Sequence, residues 1–301
     1  MPNKFTLPKD TARIIENEII KKWHDSKKYV NPSLLFSRYM FDVRKKQKRE
    51  HLNKVKENIE TYFKNEKKEA LIKKRKEIIE KLGKLTYRQK SLKFVLKSRM
   101  VIGLGASHPE ETSILLHHIY GIPYLPGSAV KGVTRNFTIL EFAIENREDV
   151  NNIKKFLEDS EELKRNEELK KKIENYKIEE NIGKRITAKE AKQIFGTQKE
   201  EGKIIFLDAY PENLKIGIDV MTPHFPMYYS SNEPPADWQT PVPIPFLCVE
   251  EGSIFKIFLL SNDNNLLEKA ALLVKKALEE LGIGAKRMVG YGWGEVQIKR
   301  D

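Results

Sequence analysis

The chain is 301 residues long, carries 55 Lys and Arg against 43 Asp and Glu for a formal net charge of +12, and contains one cysteine. That length is enough for one large domain with insertions, or for two modest ones, around a sizeable core. The lone Cys248 excludes an intramolecular disulfide and a cysteine-cluster zinc site, and no apolar run is long enough to cross a bilayer.

The net charge favours a polyanionic partner. The competing explanation is a Lys/Glu-rich surface of the kind thermophile proteins carry. No apolar signal segment stands at the N-terminus, so the expected location is cytoplasmic, with no membrane partner. Residues 10–24 read as a helix, with Ile15, Ile19 and Trp23 at helical spacing. Asn31-Pro32-Ser33 breaks it and can cap a following helix. Residues 42–90 favour helix and hold eighteen Lys or Arg against eight Asp or Glu. Val55, Ile59, Tyr62 and Phe63 form one apolar stripe, and Leu71, Ile72, Ile78, Ile79 and Leu82 another. An antiparallel helical hairpin that joins the two stripes is expected. Such a hairpin is either a solvated arm or a basic arm lying on RNA or on a protein neighbour.

A strand with irregular alternation is expected from Leu92 to Leu104, through Phe94, Leu96, Met100 and Ile102, ended by Gly103 and Gly105. A short extended segment follows from His117 to Tyr124. Pro126-Gly127-Ser128 then opens a helix running to about Asn146, with Ser128 as its N-cap and Lys131 one turn in. Residues 147–192 form a second charged, helix-favouring insertion. Strands are expected over Ile204 to Ala209 and Leu214 to Val220, and residues 221–245 form a Pro-rich loop bearing Tyr and Trp. A strand over Ser253 to Leu260, an amphipathic helix from Leu266 to Leu281, a glycine-rich loop and a strand over Gly294 to Ile298 close the chain. Cys248, in the apolar run Pro245 to Val249, reads as a buried structural thiol. Without the insertions the order is strand, helix, strand or strands, helix, strand. That is the α+β order of a ferredoxin-like, RRM-type domain.

Two motifs carry the chemistry. Gly127, Ser128, Lys131 and Arg135 stand at a helix start, where backbone N–H groups and the helix dipole favour phosphate. Lys131 and Arg135 share a helix face and can flank one backbone track. The spacing is not that of a Walker A loop, and the plainer explanation is a capped helix after a proline turn. Gly282, Gly284, Gly290 and Gly292 frame the second motif. There Lys286 and Arg287 offer phosphate contacts, and Tyr291 and Trp293 offer either base stacking or core packing. Gly282 alone is explained as the end of the preceding helix. His117 and His118 are adjacent on an expected extended segment and point to opposite faces there, against a shared metal. His24 and His51 sit in charged helical contexts.

The run Pro123 to Gly132 with Arg135 resembles the motif in which a Pro-Gly-Ser turn starts the first helix of CRISPR RAMP proteins. Gly282-Ile283-Gly284-Ala285-Lys286 with Gly290-Tyr291-Gly292 resembles the glycine-rich loop of the same superfamily, and Phe195-Gly196 with Ile205 to Ala209 a further segment. His108-Pro109-Glu110-Glu111, Asp219 to His224 and Pro234 to Trp238 narrow the resemblance to the family of sixth subunits of the Cmr complex, the type III-B CRISPR effector. The resemblance covers residues 100 to the end. It implies a Cas7-like domain over 91–301, with the insertion at 147–192 and a thumb-like loop at 221–245. The residues before it, 1–90, read as a helical extension from their own composition and spacing, and 42–90 match no segment of the family.

The resemblance further implies a place near the 3′ end of the guide RNA and contact with guide and target RNA. The implied neighbours are other Cmr subunits: the backbone RAMP subunit, the small helical subunit and the other terminal RAMP subunit. It implies no metal or other cofactor. In the thumb-like loop Tyr228, Tyr229 and Trp238 supply apolar surface either to a guide–target duplex or to a neighbouring subunit. Where backbone RAMP subunits carry a cleavage aspartate, this chain has none. His108 and Glu110 can still form an acid–base pair, or they simply brace their turn. The favoured expectation is thus a non-catalytic RNA-binding subunit. The alternatives are an endoribonuclease subunit using His108 and Glu110, and a scaffold whose basic arm docks protein.

Overall fold

Helix-forming and strand-forming runs alternate along the chain much as their apolar spacing requires. The structure is a computed structural model that describes residues 31–38, 48–64, 68–84, 87–106, 112–231, 233–238 and 240–299. The expected helix at 10–24, with His24, and the His108-Glu110 pair lie outside them. In chain order the elements begin with α1 (Pro32–Arg38), α2 (Lys48–Tyr62), α3 (Lys68–Lys84) and β1 (Arg88–Leu96). Next come α4 (Gly127–Asn146), α5 (Val150–Glu158), α6 (Glu161–Lys164), α7 (Glu167–Glu174), β2 (Lys177–Ile178), β3 (Ile186–Thr187) and α8 (Ala188–Phe195). The rest are β4 (Ile205–Phe206), β5 (Tyr210–Asn213), β6 (Ile216–Met221), α9 (Pro226–Ser231), β7 (Ile244–Val249), β8 (Ile254–Ser261), α10 (Asn264–Glu280) and β9 (Gly294–Ile298). This is a mixed α and β protein with antiparallel sheets.

The chain forms two compact units that interleave in sequence. The first gathers residues up to 68, 101–123 and 214–250; the second gathers 69–100, 124–213 and 251–301. Each unit therefore contains residues from both sides of position 90.

In the second unit the sheet runs β4-β8-β1-β9, with β5 also paired to β8. β1 sits between β8 and β9, antiparallel to both, with Phe94 opposite Phe255 on one side and Val296 on the other. Leu92, Phe94 and Leu96 alternate inward, and Phe255, Ile257 and Leu259 do the same from β8. β1 stops at Leu96 rather than running on to Leu104. The Lys97 and Ser98 N–H groups both turn to the Trp293 carbonyl, at 2.9 and 3.2 Å, which ends the ladder.

α10 covers this sheet. Asp263 caps it by accepting from Leu266 N at 3.1 Å, and Leu267, Ala270, Ala271, Val274, Ala277 and Leu278 are buried on one face. Each fully buried leucine there contributes about 1.5–3 kcal/mol. α10 packs on β1, β8 and β9 and against α4.

The insertion after α4 contains α5, α6 and α7, the small β2–β3 pair, and α8. It is organised around Glu148, whose carboxylate accepts from Tyr176 Oη at 2.6 Å, Asn152 Nδ2 at 2.9 Å and Lys172 Nζ at 3.0 Å. These bonds, Tyr176 first, hold the Glu148 carboxyl down to about 2.

In the first unit α2 buries Leu52, Val55 and Ile59 and packs against β6, β7 and α1. The Glu60 carboxylate accepts from Ile216 N at 2.8 Å. α2 belongs to the first unit, while α3 from Glu69 onward belongs to the second. There the Arg75 guanidinium lies over the Tyr210 and Phe258 rings and bonds the Asp208 carbonyl. An apolar stripe specifies that a helix face is buried, not which element buries it. Asn31 caps α1 as expected, its Oδ1 accepting from Ser33 N at 2.9 Å.

A carboxyl held below its ordinary range stabilises the fold above its unfolded pKa, and that contribution fades as pH falls toward the folded value. Stability is therefore expected to decline from about pH 4.5 to pH 2 in the wild type. Glu148→Gln is expected to lose about 1–2 kcal/mol at pH 7 and to flatten that decline. Urea unfolding across the pH range measures both.

Candidate nucleic-acid interface

The start of α4 is built around close backbone approach. Gly127 is buried, and a Cβ there would overlap the Phe206 carbonyl. Leu125 and Ala209 exchange backbone hydrogen bonds at 2.8 and 2.7 Å, which brings Asp208 to the helix end. The Asp208 carboxylate then accepts from Gly127 N at 2.8 Å. The N-cap position is held by Pro126, with no side-chain cap, and Ser128 lies inside the helix.

This corrects two expectations. Ser128 is not the N-cap, and the helix start does not offer a row of free donors. Asp208 supplies the negative charge that a phosphate would otherwise bring. Burial, and then the same carboxylate, push the Tyr124 hydroxyl up. Ser128 itself is exposed. Further along α4, Lys131 is half-buried with no ion pair among the described residues, and Arg135 pairs with Glu158 at 3.3 Å.

The glycine-rich loop is pinched at its base. Ile283 N donates to the Gly292 carbonyl at 2.9 Å, and Gly292 N donates to the Arg99 carbonyl at 2.8 Å. Gly292 has φ +76°, and a Cβ there would overlap the Ile283 carbonyl. Trp293 fixes the loop from within. Its backbone N–H bonds Ser98 Oγ at 3.0 Å, and its indole N–H bonds the Arg287 carbonyl at 3.3 Å. Of the two offices open to Trp293, the structural one is therefore filled. Arg287 reaches the Leu281 carbonyl at 3.4 Å, near the C-terminal end of α10. Lys286 adopts the left-handed conformation at φ 59°. Lys286 and Tyr291 are both half-buried.

The two motifs meet. A cleft of about 580 Å³ is lined by Ala129, Gly132, Val133, Arg135, Asn136 and Ile139 of α4, by Lys154 of α5, and by Ile283, Gly284 and Arg287 of the loop. Three of these residues are cationic and none is a carboxylate. The expected residues Arg135, Gly284 and Arg287 thus line one cleft. Lys131, Lys286 and Tyr291 stand on the same two elements but outside the lining, and Gly127 is committed to the fold.

Sequence reading missed Lys154, Asn136 and Asp208. Lys154 follows Ile153 on a helix that buries Ile153, Phe156 and Leu157. Nothing local distinguishes it from the other lysines of a nearly charge-balanced insertion. Asp208 lies 81 positions from the Gly127 N–H that it caps.

The remaining expected residues lie elsewhere. Between β6 and β7 the chain makes an arm that contains α9, and Val242 N meets the Pro223 carbonyl at 3.3 Å. On it Tyr228 is 50% exposed and Trp238 68% exposed; the Tyr229 side chain lies outside the described residues. Residues 222–243 contain no Lys or Arg, but do contain Glu233 and Asp237. His117 and His118 do not point apart. They stack at 4.9 Å in a tight turn closed by the Leu116–Pro123 bridge. His117 Nδ1 accepts from Ile119 N and Tyr120 N at 3.2 and 3.3 Å, so it is a turn-capping residue.

The RAMP superfamily model matches residues 93–295, a span that contains both glycine motifs. The CRISPR system Cmr subunit Cmr6 of Pyrococcus furiosus is 38% identical over 270 residues, or 80% of this chain and 79% of that one. The Cmr6 subunit of Saccharolobus solfataricus is 24% identical over 224 residues, or 69% of this chain and 60% of its own. Among solved structures, the cryo-EM structure of the type III-B Cmr-beta bound to cognate target RNA contains a similar chain. It superposes with a TM-score of 0.58 at 21% identity, over 95% of this chain and 88% of that one, a likeness of fold. The crystal structure of Pyrococcus furiosus Cmr6 aligns at 34% identity and a TM-score of 0.47, over 71% and 99% of the two chains.

Gly292→Ala is expected to cost about 1–3 kcal/mol, because the added methyl group meets backbone at a positive φ. Gly290→Ala also lies at positive φ but meets open space, and is expected to cost about 1 kcal/mol. Chemical denaturation of the two variants side by side checks the order.

Proposed function

The chain belongs to the RAMP superfamily, and within it to the Cmr6 family, and from that membership we propose that it is a non-catalytic RNA-binding subunit of a type III-B CRISPR RNA-guided RNA-silencing complex. It works near the 3′ end of the guide RNA and contacts guide and target RNA in the cytoplasm. Its neighbours are the backbone RAMP subunit, the small helical subunit and the other terminal RAMP subunit. The observation that carries the reading is the cleft in which Arg135, Lys154 and Arg287 converge without a carboxylate in the lining. An open, cation-lined groove takes a phosphate backbone without reading sequence. Lys131 and Lys286 add two further cations on the same two elements.

The sheet supports the ferredoxin-like reading. With β4 and β5 taken together as the second strand, the order around β1 is fourth, first, third, second, all antiparallel. α4 and α10 are the two helices of that arrangement, and α5 to α8 are its insertion. The arm between β6 and β7 is the thumb-like element. The name of the Pyrococcus furiosus relative makes that protein a subunit of the Cmr system, and the solved assembly containing a similar fold is bound to target RNA.

Purified full-length chain titrated with single-stranded RNA at several salt concentrations tests this reading. Tight binding that weakens steeply with salt, with the RNA left uncut, is expected. Lys131→Ala and Lys286→Ala are each expected to weaken binding nearly uniformly across sequences, and each to lower the salt slope by about one. Unchanged affinity in both variants, together with salt-independent binding, contradicts it. Cleavage of the RNA that disappears in His108→Ala would move the reading to the endoribonuclease alternative.

A further inference from the structure

Met288 is 99% exposed and Val289 70% exposed, at the outermost turn of the glycine-rich loop. Their exposure is not that of a loose segment. Residues 287–289 form a 3₁₀ turn with left-handed residues at both ends, Lys286 at φ 59° and Gly290 at φ 94°. Inside it the Lys286 carbonyl accepts from Val289 N at 3.1 Å and from Tyr291 N at 3.4 Å. The Arg287 carbonyl accepts from Gly290 N at 3.0 Å and from the Trp293 indole at 3.3 Å. The backbone that presents the two apolar side chains is thus set before any partner arrives, so little ordering entropy is lost on contact. Neither side chain contributes to the core, and a fold needs no methionine at a tip held this firmly.

We propose that Met288 and Val289 form an apolar wedge that packs against a nucleobase of the RNA strand whose phosphates occupy the cleft between α4 and the glycine-rich loop. This rests on the RNA-binding reading above and adds to it the part of the loop that meets bases. The charge around the tip selects this occupant. Lys286 and Arg287 precede the wedge directly, and Arg287 also lines the cleft with Arg135 and Lys154. Met288 follows Arg287 directly in the chain, so a strand held by its phosphates at Arg287 can turn a base onto the exposed Met288 and Val289 side chains. Every base has an apolar face, so the contact tolerates any sequence, and methionine is among the side chains that wedge between bases elsewhere.

The test uses the full chain, a mixed-sequence single-stranded RNA about 20 nucleotides long, and the same RNA with 2-aminopurine at successive positions. The Met288→Ser/Val289→Ser double variant changes only exposed side chains, and its thermal midpoint serves as the folding control. It is expected to bind about five- to tenfold more weakly with an unchanged salt slope, since a packing contact of about 1 kcal/mol carries no counterion release. The wild type is expected to change the 2-aminopurine fluorescence at one or two positions, and the variant is not. Lys154→Ala, by contrast, lowers the salt slope. Unchanged affinity in the double variant, with Lys154→Ala weakening binding, overturns the wedge and leaves the RNA reading standing. If neither affects RNA binding, both fall. If the double variant binds RNA normally but no longer co-assembles with its protein neighbours, the tip is a protein contact and the proposal is wrong.

Discussion

Two backbone hydrogen bonds at the foot of the glycine-rich loop set the geometry on which the site depends. Ile283 N to the Gly292 carbonyl closes the loop on itself, and Gly292 N to the Arg99 carbonyl ties it to the chain leaving β1. The first requires two backbones closer than any side chain permits, which is why Gly292 has no Cβ and sits at φ +76°. With the foot closed, Arg287 can reach the end of α10 and also the wall of the cleft, and Trp293 can lock the turn from inside. A loop left open there would still carry its lysine and arginine, but would not hold Arg287 at the cleft.

The other wall of the cleft depends on a different economy of charge. The start of α4 resembles an anion site, yet Asp208 occupies it and Gly127 is sealed against β4. The cationic character of the groove therefore comes from side chains further along: Arg135 from α4, Lys154 from α5 and Arg287 from the loop. Arg135 shares its charge with Glu158, which holds the guanidinium in place at the cost of part of its field. Lys154 has no such partner among the described residues. The insertion thus adds a cation to the groove as well as bulk, and Glu148 ties the insertion together through its bonds to Tyr176, Asn152 and Lys172.

Much of this was legible in the amino-acid order, for identifiable reasons. α10 announced itself through its apolar stripe at helical spacing, because that signal is local. The four glycines after it marked a loop with special backbone, because each sits at a positive φ that side chains disfavour. What was not legible is what depends on distance along the chain. Asp208 caps a helix 81 positions away, and no spacing rule connects the two. The stripe of α2 marks a buried face, whereas on α3 Leu71 and Ile79 are buried and Ile78 is exposed, and a stripe does not say which compact unit its helix joins. His117 and His118 were read on an extended segment and lie in a turn, because His117 Nδ1 takes two backbone donors that composition does not reveal.

The central claim is that RNA runs through the groove between α4 and the glycine-rich loop. Ultraviolet cross-linking of the full chain to RNA, with the linked peptides identified by mass spectrometry, tests it most directly. The account predicts adducts on peptides that span 127–135, 150–158 and 283–293. Adducts confined to the basic helices at 48–84, or to the arm at 222–243, with none on those three peptides, would contradict it.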